Sequence, residues 1–569
     1  MFRKTDPNQG ADLFYDLNNL LIGRSARKFN DPEQWHNKFF KMVTSKIDEE
    51  LFRPLYVEDG KKDGRPIASV RAVVAMIILK EGFGCSDEEL GEKCDFDMLT
   101  RAAIGINNIC TAAPSMETYY KFRSRLVEYN KSTGKDLMED CFKQVTHEQV
   151  LELNISGKSI RMDSKLIGSN IANLSRYELI QRTLVKFLKE FDLALMGPEA
   201  QRKAAEYLAE NPEHTVYEND SDTVNNRLLQ LGEFIHRILI LYSLTSESYI
   251  LLHRVFNEQY KVEDGKVILR NRKEIAADSL QSPDDPDATY RDKNGKKTKG
   301  YSTNITETLP EKDDKGNTVK PSLIVGAQTE PASTADNSFV EEAVKTSQEV
   351  TGDKVEEIFA DGAYQGPDNR KFAEKENIQL KTGKMQGKSR FYLVRWDGDK
   401  VSVTDTVTGE IMNAEQVKTR KEGKKKWRIP DPDIKGKWRY FDEKAVERSE
   451  VRQNLLELPP EELAKRNNVE AAMFQYSFHT RNNKTRYRGL LKHRMHTYTR
   501  CMWMNFRRIL IWSCGLFFTL ITVLQKVIDD FLGTRNEEDG IFEKIRPLRE
   551  VAFMSADNHR FLRLNYFLK

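Results

Sequence analysis

The amino-acid sequence predicts an α/β protein whose core is interrupted by two insertions and preceded by a helical region. Three observations carry this. Gly and Pro are scarce, at 31 and 18 of 569 residues, below the usual combined share of about 12%, which favours long regular elements over a many-turned all-β chain. Apolar runs of strand character alternate with helical patterns from Ile155 to Ile378. Between Lys384 and about Val446 the texture changes to short alternating segments with Gly-containing turns.

Taken in order, residues 1–150 read as a helical domain. The run from Pro66 to Leu79 is apolar nearly all round, which predicts a buried helix that ends at Gly82-Phe83-Gly84. Ser86 followed by Glu89 is a capping box that opens a short helix. Pro114 to Leu126 begins a third, in which aromatics interleave with Lys121, Arg123 and Arg125. Helix, short helix, turn and basic-aromatic helix is the outline of a helix-turn-helix DNA reader in residues 60–130, and equally of an ordinary helical bundle.

Residues 151–175, 276–383 and 447–532 read as one α/β domain, with strands in Ile155–Gly168, Gly300–Thr306, Pro321–Gly326 and Val355–Asp361 and a helix from Asn337 to Gln348. A helical insertion occupies 176–275, with helices from Tyr177 to Leu195 and from Asn225 to Phe256. A β-rich insertion occupies 384–446, helices return at Pro460 and run with breaks to Asp530, and 533–569 form a mixed tail.

The length exceeds what one hydrophobic core supports, so three to four domains follow from roughly 150 residues each. With 39% hydrophobic, 10% aromatic and 31% charged residues, the chain is excluded from the disordered class. Six cysteines without a C-x-x-C pair, and nine scattered histidines, give no zinc spacing and suit a reducing compartment. Met1 to Pro7 lacks the apolar segment of a secretory signal. The uncharged run from Ile509 to Leu524 is shorter than the ~20 residues a spanning helix needs, so it reads as a core helix and no membrane partner is expected.

Net charge is only +3, but its placement is uneven. From Ala471 to Ile528 there is no Asp or Glu, whereas ten basic residues are present, among them Arg481, Lys484, Arg486, Arg488, Lys492 and Arg494. From Lys384 to Arg428, twelve Lys or Arg face six acids. Two such segments fit a polyanionic partner, and nucleic acid is the expectation.

Two acids sit where strands end. Asp163 interrupts Ile160-Arg161-Met162, and Asp361 closes Ile358-Phe359-Ala360 ahead of Gly362-Ala363-Tyr364. An acid in an apolar strand is costly without a cationic partner, and a salt bridge or a metal ion would each serve. Carboxylate oxygens select Mg2+ or Mn2+, and two such ions about 3.5 to 4 Å apart are the usual device for phosphodiester cleavage. Glu470, on the helical pattern Arg466-Asn467-Asn468-Val469-Glu470, is the last acid before the acid-free stretch; alone it would read as a surface carboxylate.

These motifs, with Tyr487-Arg488-Gly489-Leu490 downstream and Asp285 to Arg291 leading to Lys299-Gly300-Tyr301, resemble those of bacterial insertion-sequence DDE transposases, over most of the chain. The resemblance implies an RNase H-like catalytic domain, with the first Asp on the central first strand, the second at the end of the fourth, and the Glu on a later helix. It implies Asp163, Asp361 and Glu470 as catalytic metal ligands for two Mg2+ (or Mn2+) ions, and Arg466 as a DNA-contacting neighbour. A related branch carries Tyr three residues before that Arg and Lys seven after the Glu; here those positions are Leu463 and Ser477, and Glu461 and Glu462 stand as alternative acids. The implied reaction is strand cleavage at terminal inverted repeats followed by strand transfer. Implied partners are double-stranded transposon-end and target DNA and a second subunit in a DNA-bound homodimer, in a bacterial cytoplasm at the nucleoid. In some members a β insertion touches the transposon end and stacks an aromatic on a flipped base. Among Trp396, Trp427 and Trp438, the lysine-flanked Trp427 suits that role, since base stacking is worth roughly 1 to 3 kcal/mol, and a small β core is the alternative place for all three. Two other readings use the same features: an RNase H-like nuclease or resolvase, and a non-catalytic DNA-binding protein derived from a transposase.

Overall fold

The computed structural model describes residues 2, 4, 16–56, 67–293, 295–382, most of 392–449, and 460–533. The expected tail beyond Gly533 lies outside the described residues.

A mixed sheet forms the centre. It contains β1 (Ser159–Gly168), β4 (Thr289–Lys293), β5 (Lys296–Thr308), β8 (Ile324–Pro331), β9 (Glu357–Ala360) and β10 (Gln379–Thr382). The order is β10-β9-β1-β5, and β4 and β8 share the far edge of β5. β5 is antiparallel to β1, β4 and β8, while β9 and β10 run parallel to β1. Parallel strands need a crossover, and the helices Val340–Thr351 and Pro367–Glu376 supply those leading into β9 and β10. Two hairpins, β2–β3 (Tyr260–Glu263 and Lys266–Leu269) and β6–β7 (Glu311–Lys312 and Thr318–Lys320), pair apart from this sheet.

The N-terminal helices do not form a core of their own. Phe39, the Val70–Phe83 helix and the Leu137–Leu153 helix bury their apolar faces together with Ile305, Ile324 and the long Leu490–Gly533 helix, in one continuous cluster. Ser69 and Gly84 bound the Val70–Phe83 helix: Ser69 caps its first turn, and Gly84 at φ 68° takes the left-handed position that ends it. Gly82 is required for a different reason, because a Cβ there would lie 2.3 Å from the Trp503 ring. The capping box of Ser86 and Glu89 forms as the sequence indicates.

The helical insertion has a separate core of residues such as Leu184, Phe187, Leu231, Ile235 and Leu252. The single helix expected from Asn225 to Phe256 is two, Ser221–Leu241 and Glu247–Gln259, since Ser246 caps the second and breaks the run. The β-rich insertion is a five-stranded antiparallel sheet of β11 (Tyr392–Asp397), β12 (Lys400–Asp405), β13 (Ile411–Val417), β14 (Lys426–Pro430) and β15 (Trp438–Asp442). The Pro460–Tyr476 helix then returns the chain to β1. Among the described residues no helix is long and apolar enough to cross a membrane.

Candidate active site

Strand register brings the first two acids together. β1 and β9 pair in parallel as Ile160 with Ile358 and Arg161 with Phe359. Continued two residues further, that register sets Asp163 level with Asp361, one on the central strand and one just past the end of its neighbour. Both are half-buried. Each accepts from the next backbone N–H, Ser164 to Asp163 at 2.8 Å and Gly362 to Asp361 at 2.7 Å; only Asp361 is at a strand end, because β1 continues past Asp163 to Gly168.

The Pro460–Tyr476 helix lies along β1 above Asp163. Residues 161, 163 and 165 share one face of the strand. Arg161 donates to the Lys465 carbonyl at 3.0 Å, and Lys165 donates to the Met473 carbonyl at 3.3 Å and to the Ser477 hydroxyl. Four strand residues rise about 13 Å and eight helical residues about 12 Å, so the two elements run side by side in step. Asp163, midway between the two cations, therefore faces the turn that holds Val469 and Glu470. Val469, Ala472, Met473 and Tyr476 are buried beneath the helix, and Glu470 is exposed at the margin of that stripe. Arg466 is in this helix, but its side chain lies outside the described residues, as does that of Glu461. Glu462 sits elsewhere, 2.9 Å from Lys381 on β10.

Further polar groups surround the aspartates. The buried Tyr364 hydroxyl donates to Asn304 at 3.1 Å. Burial, and then the negative field of Asp163, Asp336 and Asp361, push its pKa well above the ordinary tyrosine value, so it stays protonated. Burial would raise the Asp336 carboxyl, but Arg291 at 2.8 Å and Lys293 at 3.2 Å hold it below the usual carboxylate value. Asp336 and Tyr364 were not singled out by the sequence, although Tyr364 stands three residues after Asp361.

Asp163, Asp361 and the nearby Tyr364 hydroxyl offer oxygen atoms, the chemistry that suits a hard divalent cation. Among the described residues no group of three His, Cys, Asp or Glu is close enough together to hold a metal ion.

Several of the basic residues make contacts within the chain. Arg486 donates to the Gly84 and Cys85 carbonyls at 2.7 and 2.6 Å, fastening the end of the Val70–Phe83 helix. Arg488 donates to the Asn170 carbonyl, Lys484 to the Ile171 carbonyl, and Arg494 to Thr329 and Glu330. Arg486 and Arg488 are exposed despite these bonds, and Arg481 and Lys492 are exposed as well. In the N-terminal layer, Lys121 pairs with Glu117 at 2.6 Å, Arg125 stacks on Tyr56, and Arg123 is held between the Tyr119 and Tyr487 rings, each 5.3 Å away. Trp427 is a correction: at 3% exposure it belongs to the β-insertion core with Val403 and Ile429, and a base could reach it only by opening that core. Trp438 and Tyr440 are 39% and 58% exposed on the edge strand β15, with Arg428 4.0 Å over the Trp438 ring.

Residues 26–125 match the family model described as Transposase domain (DUF772). That match supports an insertion-sequence transposase. The transposase-domain segment starts in the Gly23–Asn30 helix and ends within the Met116–Thr133 helix, so it covers the layer that Arg486 and Trp503 tie to the rest of the molecule. No curated protein matches the chain significantly.

Proposed function

We propose that the chain is a DDE transposase with an RNase H-like core that cleaves DNA at the ends of a mobile element and joins them to target DNA. The observation that carries this reading is the parallel register of β1 and β9, which sets Asp163 level with Asp361 beneath the turn bearing Glu470. With β4 set aside as an edge addition to β5, the first acid is on the central first strand, the second follows the fourth strand, and the third is on a later helix. The transposase-domain match to residues 26–125 supports the coarser part of this reading, a transposase, independently of the acids.

Asp163, Asp361 and Glu470 would hold Mg2+ or Mn2+, which when bound supplies activation of water and neutralisation of charge on the scissile phosphate. Cleavage is hydrolysis of a phosphodiester, in which water adds to phosphorus and the 3′ oxygen leaves as a hydroxyl. In strand transfer that hydroxyl attacks a target phosphodiester in the same way. Tyr364, protonated and fixed to Asn304, keeps a neutral hydroxyl between carboxylates rather than a further charge. Exposed Arg481 and Lys492 would meet DNA phosphates, and Trp438 and Tyr440 take the stacking role that the sequence suggests for Trp427. Joining two ends calls for a homodimer on double-stranded DNA.

The test is to incubate the full chain with Mg2+ or Mn2+, a fragment carrying the DNA that flanks its coding sequence, and a target plasmid. The reading expects fragment ends joined covalently through their 3′ oxygens to the plasmid. Nicking without joining would favour a nuclease, and binding without either would favour a non-catalytic DNA-binding protein.

A further inference from the structure

We propose that Arg161 and Lys165 are positioning residues that clamp the Pro460–Tyr476 helix across Asp163 and so determine where Glu470 stands; the proposal rests on the three-acid reading above. The two cations lie two residues on either side of Asp163 on one face of β1, so neither can move along the strand without the aspartate. Both reach main-chain carbonyls of the helix, and so hold its axis whatever side chains its outer face carries.

The two ends of the clamp differ. Arg161 is 4% exposed and is itself held by Glu307 on β5, a fully buried carboxylate that also receives Arg508 from the long helix. A buried guanidinium between a carboxylate and a carbonyl is a rigid post, because releasing either partner leaves a charge or a donor unsatisfied in the interior. Lys165 works at the other end, where the Met473 carbonyl accepts from the Ser477 N–H at 3.3 Å and the Ser477 hydroxyl at 3.1 Å, a cap that the lysine completes. Its ammonium meets the Met473 carbonyl and the Ser477 hydroxyl there, where a cation is also favoured by the helix dipole. Glu470 is one turn before this cap. Removing the Lys165 ammonium leaves that cap to Ser477 alone, which should loosen the final turn and move Glu470 relative to Asp163, while Arg161 still holds the helix at Lys465.

The test uses the full chain and Mn2+ as probe. Mn2+ affinity is measured by titration for wild type, Lys165→Gln, Lys165→Arg, Glu470→Gln and the Lys165→Gln/Glu470→Gln double variant, with amide exchange of residues 470–477 followed without metal. The expected result is that Lys165→Gln weakens Mn2+ binding about tenfold, the size typical of residues that orient a metal ligand. Arginine should restore most of the affinity, exchange should rise only in Lys165→Gln and the double variant, and the double variant should bind no more weakly than Glu470→Gln. If Lys165→Gln fails to fold, Ser477→Ala removes one acceptor of the same clamp and should give a smaller weakening in the same direction. Wild-type affinity in Lys165→Gln, or a double variant weaker by the product of the two single effects, overturns the clamp while leaving the acids assigned. Wild-type affinity in Glu470→Gln overturns the three-acid reading and the clamp together.

Discussion

Glu462 and Lys381 meet at 2.9 Å at the β10 edge of the sheet, and Lys381 also holds Glu357 at the start of β9. Asp361 closes the opposite end of β9. An acid committed to that lysine is two turns of helix away from the turn facing Asp163, which separates Glu462 from Glu470 as candidates for the third catalytic carboxylate.

Glu462→Gln is accordingly expected to leave strand cleavage near wild type and to cost less than about 1 kcal/mol, since Lys381 keeps Glu357 and partly exposed pairs are weak. Glu470→Gln should abolish cleavage. Cleavage rates and denaturant midpoints of the two variants, measured side by side, check this. A dead Glu462→Gln beside an active Glu470→Gln would reverse the assignment.

Trp427→Ala and Trp438→Ala should have opposite effects. Truncating the buried Trp427 should destabilise the β insertion by about 3 to 5 kcal/mol. Truncating the exposed Trp438 should leave stability unchanged and weaken DNA binding by about 1 to 3 kcal/mol. Thermal unfolding and DNA titration of both variants decide the matter, and a DNA defect confined to Trp427→Ala would return the stacking role to that residue.

The two tryptophans also show what the sequence could not resolve. The Lys424-Lys425-Lys426-Trp427-Arg428 run looks like a DNA contact, yet strand alternation points Lys426 and Arg428 outward and Trp427 inward. Its neighbours disclose the charge of one face and nothing of the other. The contacts made by the acid-free stretch were hidden for a related reason. From Leu490 to Leu510 much of it is buried in a helix, and cations there find partners far along the chain: Arg508 at Glu307, Arg494 at Glu330 and Arg500 at the Glu81 carbonyl. The capping box at Ser86, the position of Asp361 just past a strand end and the helical setting of Glu470 were legible, because each depends on local spacing, whereas Asp163 lies within β1 and not at its end. The shared core of the N-terminal helices and the sheet was not, since Gly82 against Trp503 is a contact across more than four hundred residues.

Arg486 and Arg488 are expected to act on stability. Replacing both with alanine removes donors from the Gly84, Cys85 and Asn170 carbonyls, so the melting temperature should fall while the salt dependence of DNA binding is unchanged. Replacing the exposed pair Arg481 and Lys492 should do the reverse, with a slope of log K against log salt flatter by nearly two units, about 0.9 for each phosphate no longer neutralised. Salt titrations of both double variants check this. A flatter slope for the Arg486 and Arg488 variant would assign those residues to DNA after all.

Stability should fall on mild acidification. Burial pushes His493 down to about 3 and His479 down to about 4, against an ordinary 6.5. Below pH 6.5 the unfolded chain takes up protons that the folded chain refuses, so stability is full above 6.5 and is lost as pH falls toward 4 and then 3, by up to about 1.4 kcal/mol per pH unit for the buried His493 and by less for the solvent-screened His479. Burial would raise Glu81, but the His496 ring 2.7 Å away and the Tyr487 hydroxyl hold it down to about 2, so its contribution is kept above 4.5 and lost between 4.5 and 2. Denaturant unfolding at pH 7, 6 and 5 should show the decline, and His493→Gln should lessen its steepness. Equal slopes in wild type and variant would contradict the buried neutral histidine.

The most direct measurement is strand cleavage of the flanking DNA with Mn2+, made in parallel with DNA binding, for wild type, Asp163→Asn, Asp361→Asn and Glu470→Gln. Asparagine and glutamine keep the size of the side chain but cannot hold the ion as a carboxylate does. The account predicts that wild type cleaves at the element end, and that each variant binds the same DNA with near wild-type affinity and leaves it uncut. Cleavage at the wild-type rate by Asp163→Asn or Asp361→Asn would contradict it.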